Sequence, residues 1–239
     1  MIPLHWVDNG NFGDAVSPLI VRHVAGREVR HVPGPVDEPH LFAVGSFCQI
    51  ANEQTHVWGT GILHSQAVLP PEPIYHMVRG PLTLQRVREV GGRCECVGDP
   101  VGLVREVFPA GEELEEWCFI PQWREVPLVP AIDGVTVLSP LTPVAEFCRV
   151  LSGHKYVLSS SLHGLVAAHA YGLKAAWVKI SHRPLGDDVK YRDYLLARGL
   201  APEPLTFPGF DVRSFRRVLP LLRESPPDLE AMRRAFPPW

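Results

Sequence analysis

Short apolar runs alternate with stretches of helical periodicity from one end of the chain to the other. "IPLHWV", "HLFAVG", "HVWG", "IYHMV" and "CECV" read as strands, and "CFIP", "GVTVLS", "KYVLS" and "KAAWVKI" repeat the pattern later. Between them lie "AVSPLIVRHVAG", closed by Gly26, and "GPLTLQRVREVGG", with Pro81 at its start and Gly91-Gly92 at its end. Pro18 is tolerated in the first of these helices because the first turn has no intrahelical use for its N–H. Asp99 of "GDP" predicts the N-cap of a further helix, and Thr142 that of "TPVAEFCRVLSG". "LHGLVAAHAYG" reads as a helix following "KYVLS". This rhythm predicts an α/β protein with parallel strands.

The acidic, turn-like "FPAGEELEEW" interrupts the rhythm, which then restarts. The expected organisation is therefore two small α/β halves, residues 1–110 and 111–205. A Pro-rich, partly basic tail (206–239), with "VRSFRRVLPLLRE" and "PPDLEAMRRAFPPW" as short helices, packs back on the body.

Composition narrows the function classes. A 46% hydrophobic chain of 239 residues can bury a substantial core. A net charge of -3 leaves no basic footprint for nucleic acid. No apolar run reaches a bilayer span, and the first residues lack the order of a signal peptide, so a cytoplasmic location is expected. Cys48, Cys94, Cys96, Cys118 and Cys148 have no zinc spacing and are expected to be free thiols. P-loop, GxSxG, HExxH and GxGxxG patterns are absent, and no metal site is expected.

Candidate chemistry gathers where strands turn into helices, the places at which open α/β sheets bind ligands. In "SSSLHGLVAAHAYG", Ser160 and Ser161 can cap a helix or donate to a ligand, and Leu162 opens a helix N-terminus suited to an anion. Gly164 leaves room for close approach, and His163 sits in the first turn. A core histidine bonded to a carbonyl is the plain alternative. His169 lies off that face, which argues against a His-His metal pair. Arg79 occupies the equivalent junction after "IYHMV", where its fork can hold a carboxylate or phosphate; a surface arginine paired with a glutamate is the alternative. "DNGNFGD" offers Asn11, Gly13 and Asp14, with Asp14 otherwise readable as an N-cap.

The ordered segments "NFGDAVSPLIV", "VWGTGI", "VRGPLT", "VGDPVGL", "SSSLHGLVAAHAYGL" and "KYRDYLLARGL" resemble the polysaccharide pyruvyl transferase family. The resemblance implies two Rossmann-like halves in a GT-B-like arrangement with the site in the cleft between them. It implies a phosphoenolpyruvate (PEP) donor, no required cofactor, and a glycan or lipid-linked sugar acceptor that receives a pyruvate ketal. It maps the PEP-binding arginine onto Arg79 and the catalytic histidine onto His163, and brings Lys190 in among the substrate-binding candidates. Family members often carry Pro-His-aromatic where this chain has "IPQWRE", so Gln122 stands in the histidine's position and cannot accept a proton at neutral pH.

On this reading His163, with a reference pKa of ~6.5, protonates the PEP methylene while a sugar hydroxyl attacks C2. Arg79 and the Leu162 helix start balance the donor's charges, and Asp14 contacts the acceptor hydroxyl. Two other readings stay open: a GT-B glycosyltransferase using a nucleotide-sugar, and a silent sugar- or PEP-binding member. Assembly into a homo-oligomer is also left open.

Overall fold

A computed structural model describes the whole chain, Met1–Trp239. The first sheet has six parallel strands: β1 (Ile2–His5), β2 (Val29–Val32), β3 (His40–Phe42), β4 (Thr55–Trp58), β5 (Ile74–Val78) and β6 (Cys96–Val97), in the order β2-β1-β3-β4-β5-β6. The second has four: β7 (Trp117–Ile120), β8 (Val135–Val137), β9 (Tyr156–Ser159) and β10 (Lys174–Trp177), in the order β10-β9-β7-β8. Both are doubly wound, and each reverses direction beside its first strand, between β1 and β3 and between β7 and β9. The chain is thus an α/β protein with two Rossmann-like halves.

The helices are α1 (Phe12–Ala15), α2 (Ser17–Ala25), α3 (Pro81–Glu89), α4 (Val104–Val107), α5 (Val144–Ser152), α6 (Leu162–Ala170), α7 (Val189–Ala197), α8 (Val212–Val218) and α9 (Leu229–Arg234). Gly26 ends α2 in the left-handed conformation (φ 61°) that glycine adopts without penalty. Helix α6 is apolar all round and buried except at His163, because it packs between the two halves.

One apolar cluster of 35 buried residues runs from Ile2, Leu4 and Trp58 of the first sheet through α6 to Cys118, Ile120 and Val157 of the second, so the halves share a core. Phe12 stacks on Phe147 (4.0 Å), and its N–H donates to the Pro140 carbonyl at 2.7 Å, which pins the loop after β1 to the second half. The chain also crosses back. Helix α7 packs on α3, where Asp193 accepts hydrogen bonds from the Leu82 and Thr83 N–H groups. Further on, α9 reaches the first sheet, and the Trp58 indole donates to the Met232 carbonyl at 2.9 Å.

Three local expectations are corrected. Thr142 does not cap α5: Pro143 holds the N-cap position without a side-chain bond. Asp14 lies inside α1 rather than at its cap, which Asn11 occupies. After "GDP" the chain makes a 3-10 turn, Pro100–Leu103, before the short α4; Asp99 caps that turn by accepting from the Val101 N–H. Three elements lie outside the predicted ones: α1, within the segment read as a polar loop, β2 and α7. All five cysteines are unpaired, and Cys96 alone is half-buried. No helix is long and apolar enough to cross a membrane.

Candidate active site

The loops that leave β1, β3, β7 and β9 face one another, since both switch points open on the same side. Between them lies a cavity of about 440 Å³. Val7, Asn9, Asn11 and Asp14 come from the loop and helix after β1, and Gly45, Ser46 and Phe47 from the loop after β3. The second half contributes Gln122, Trp123 and Arg124 after β7 and Ser161, Leu162 and His163 after β9. Gln49, Leu63 and Leu185, with Lys190 and Tyr191 of α7, complete the wall. Open α/β sheets place ligands at such carboxyl ends.

His163 is set by contacts from both halves. Ser161 caps α6 by accepting from the Gly164 N–H (3.4 Å), and the Ser159 hydroxyl accepts from the Ser161 N–H, fixing the turn before the helix. The imidazole packs against Gly13, where a Cβ would come within 1.8 Å of Nδ1. Its Nε2 is buried, without a hydrogen-bond partner, and faces Asp99 Oδ2 at 3.8 Å, an oxygen equally buried and equally unpartnered. Nδ1 is therefore the ring nitrogen left toward the cavity. The Asp99 carboxylate favours the tautomer protonated on Nε2.

Electrostatics correct one expectation. Burial first, then the charges of Arg79 and Lys190, push the His163 pKa down to about 3, so in the free site the ring is neutral at pH 7. Burial pushes Asp99 up to about 6 against the pull of Arg79. Lys190 is lowered to about 8 by burial and by Arg79; its Nζ donates only to the Leu185 carbonyl. Burial raises Asp14, partly offset by hydrogen bonds from Asn11 and Asn9.

Arg79 is placed otherwise than expected. It is fully buried and outside the cavity wall, neither a surface arginine nor an open fork. Its Nη1 donates to the Gly45 carbonyl and Ser46 Oγ, its Nη2 to the Ile62 carbonyl, and Asp193 lies 3.6 Å from its Nε. It acts on the cavity from behind, by holding Gly45 and Ser46 and by its charge. Ser160 likewise turns away: its hydroxyl donates to Glu125 and accepts from the Gln122 N–H. Gly164 faces the sheet, where a Cβ would meet Ile120 and Ser159, and makes no room for a ligand. Asn11, Asp14, Ser161, Leu162, His163, Gln122 and Lys190 do line the cavity, and Gly13 supports it through His163.

Gln122 has become a scaffold: its side-chain oxygen accepts from the Arg124 N–H and starts the 3-10 turn Trp123–Leu128. That turn carries Arg124 and Trp123 into the wall, two residues the sequence reading passed over. It also missed Ser46, and saw Asp99 only as a cap. No three His, Cys, Asp or Glu side chains are grouped to hold a metal ion.

The site combines a neutral imidazole backed by a buried carboxylate with two cations, Lys190 and Arg124, and the N-terminus of α6. That set can hold a small anion and pass a proton at Nδ1. The chain is 29% identical over 176 residues to an uncharacterised protein of Acanthamoeba polyphaga mimivirus, covering 68% of this chain and 61% of that protein's length. It is 25% identical over 229 residues to the succinoglycan biosynthesis protein ExoV of Rhizobium meliloti, covering 87% of this chain and 68% of the relative. A functionally uncharacterised Klebsiella pneumoniae protein of known crystal structure superposes with a TM-score of 0.46 at 12% identity, over 76% of this chain and 84% of that one. The family model for polysaccharide pyruvyl transferases matches residues 40–182, which carry β3 to β10 and the His163 turn. The chain belongs to the polysaccharide pyruvyl transferase family.

Proposed function

We propose that the protein transfers the pyruvyl unit of PEP to a sugar of a polysaccharide precursor, forming a ketal. The observation that carries this reading is His163, brought by the second half against Gly13 and Asp99 of the first, at the wall of a cavity that also holds two cations. Family membership and the relative named for succinoglycan biosynthesis support the polysaccharide context.

In the proposed sequence the α6 N-terminus and Lys190 bind the phosphate and carboxylate of PEP. Burial, then the charges of Arg79 and Lys190, depress the His163 pKa in the free site; the donor's negative charge works against both, and the imidazole takes up a proton as PEP binds. Asp99 steadies the imidazolium at Nε2. Nδ1–H then protonates C3 of PEP while a sugar hydroxyl adds to C2, and that hydroxyl's proton passes to Asp14. Phosphate leaves from C2 with the C–O electron pair and takes the proton held on Asp14, and a neighbouring hydroxyl adds at C2 to close the ketal, passing its proton to the now neutral Nδ1 of His163. Positioned proton transfer of this kind contributes roughly 10²–10⁴-fold.

Phosphate release from PEP across a panel of glycan acceptors, beside thermal-shift titrations of PEP and of nucleotide-sugars, tests the proposal. Phosphate is expected only when PEP and an acceptor are both present. A PEP excess of ~100 times its Kd adds about 2.7 kcal/mol of stability. A nucleotide-sugar that stabilises the protein where PEP does not would replace this reading with glycosyl transfer. PEP binding without turnover on any acceptor would favour a silent member.

A further inference from the structure

Beside the mouth of the central cavity lies a second, open concavity of about 490 Å³, lined by Trp123, Arg124, Pro127 and Arg183. It shares Trp123 and Arg124 with the central cavity, so a ligand can extend from one into the other. No acidic side chain lines it. The two arginines come from different loops, after β7 and after β10, and neither forms an ion pair. Arg183 donates to the Arg124 carbonyl at 3.3 Å. Arg124 leans over the half-exposed Trp123 ring at 4.8 Å, and its Nε is buried without a partner.

Two guanidinium groups repel, and here the fold holds their loops together. Glu125 is fully buried. One carboxylate oxygen accepts from Ser160 at 2.6 Å and the other from Ser181 at 2.5 Å, while the Ser181 hydroxyl accepts from the Arg183 N–H at 3.0 Å. Glu125 thus ties the Arg124 loop, the His163 turn and the Arg183 loop into one frame. Its charge is turned inward, onto hydroxyls, so the arginines keep theirs toward solvent. A preorganised pair of forks without a carboxylate partner is suited to phosphate oxygens.

We propose that this ledge binds a diphosphate group on the acceptor, with Trp123 as the flat surface for the ring next to it. The word acceptor rests on the pyruvyl-transfer reading; the diphosphate site does not. The same group occurs on nucleoside carriers and on polyprenyl carriers.

The test is a calorimetric titration of inorganic pyrophosphate into the wild-type protein and Arg183→Gln, each saturated with PEP. Arg183 is exposed and its side chain holds only one carbonyl, so the variant should fold, and an unchanged Tm checks this. Wild type is expected to bind pyrophosphate without losing PEP. Arg183→Gln should bind it about tenfold or more weakly, the scale of a lost charged hydrogen bond, with PEP affinity unchanged. Equal affinity in the two proteins, displacement of PEP by pyrophosphate, or no binding to the wild type would each overturn the proposal. Should PEP itself fail to bind, the pyruvyl-transfer reading falls alone, and the same titration without PEP still decides the ledge. UDP and geranyl diphosphate then separate the carriers: the one that binds more tightly than pyrophosphate identifies the source, and equal binding of all three makes the diphosphate the whole of the recognised group.

Discussion

Two buried aspartates feel the charge of Arg79, and they are treated differently. Asp193 accepts from the Leu82 and Thr83 N–H groups and from the Thr83 hydroxyl, and lies 3.6 Å from Arg79 Nε. Asp99 has one bond, from Val101 N–H to Oδ1, while Oδ2 faces His163 across 3.8 Å with no partner. A satisfied carboxylate is a structural part. It locks α7 onto α3 and offsets the charge of Arg79. A buried oxygen left unsatisfied costs stability, and a fold keeps such an atom where it has a use. Glu125, with a hydroxyl on each oxygen, belongs with Asp193. The contrast separates the frame of the site from its chemistry.

The largest effect is expected where that contrast is sharpest. His163→Gln keeps a polar group opposite Asp99 but cannot cycle a proton. Turnover should fall roughly 10²–10⁴-fold, with Tm nearly unchanged and PEP still bound. Steady-state phosphate release and a thermal melt measure both. Near-native turnover in this variant would make His163 a hydrogen-bonding residue only and move the proton to another group. A large loss of Tm would instead place His163 on the structural side with Asp193.

Asp193→Ala should do the reverse. It leaves Arg79 buried without its counter-charge and α3 without its cap, a loss of about 3–5 kcal/mol for the broken buried pair. For a chain of this size that corresponds to a Tm lower by roughly 6–20 °C. Activity measured well below the melt should be altered far less than in His163→Gln. A variant that melts like the wild type would show that Arg79 is held by Gly45, Ser46 and Ile62 alone.

Much of the fold could be read from the chain because buried parallel strands announce themselves as apolar runs: β7 and β1 are buried at every position. Strand β2 escaped notice because it lies at an edge, and its "VRHV" exposes Arg30 and His31. Helix α7 escaped because it buries the wrong kinds of residue. Asp193 and two tyrosines point inward, so "VKYRDYLLA" shows no apolar stripe. The site divides the same way. His163 and Asp14 were legible because junctions after strands are general binding positions, whereas Lys190 entered only through the family resemblance; all three line the cavity. Arg79 was found for the wrong role, since nothing in "VRGP" tells that its guanidinium is enclosed by Gly45, Ser46 and Ile62. Asp99 was seen as a cap, which it is, but a residue with one oxygen in each of two roles shows only the local one to a sequence reading. Arg124 and Arg183 are brought together by the Glu125 frame and by the bond from Arg183 to the Arg124 carbonyl, across loops far apart in sequence.

The smallest effect, and the most diagnostic, is that of Asp99→Asn. The ordinary Asp99 pKa of 3.8 rises to about 6 in the folded protein, mainly through burial. Between those values the folded state holds a proton that the unfolded chain has lost, so folding weakens as pH rises through this window. The penalty is absent below pH 3.8 and complete above pH 6. Asparagine has the same shape and never carries the charge, so its gain in Tm over the wild type should grow from pH 4 to pH 6 and then stay level. Activity should move the other way. Without the carboxylate at Nε2, the imidazolium formed on PEP binding is less stable, and each unit by which its pKa falls lowers the protonated fraction about tenfold. The pH at which turnover declines on the alkaline side should therefore shift downward, with KM for PEP nearly unchanged. Melts at several pH values and a pH–rate profile measure the two halves of the prediction on one protein. A variant that is both less stable and fully active would put Asp99 beside Asp193 and Glu125 as part of the frame.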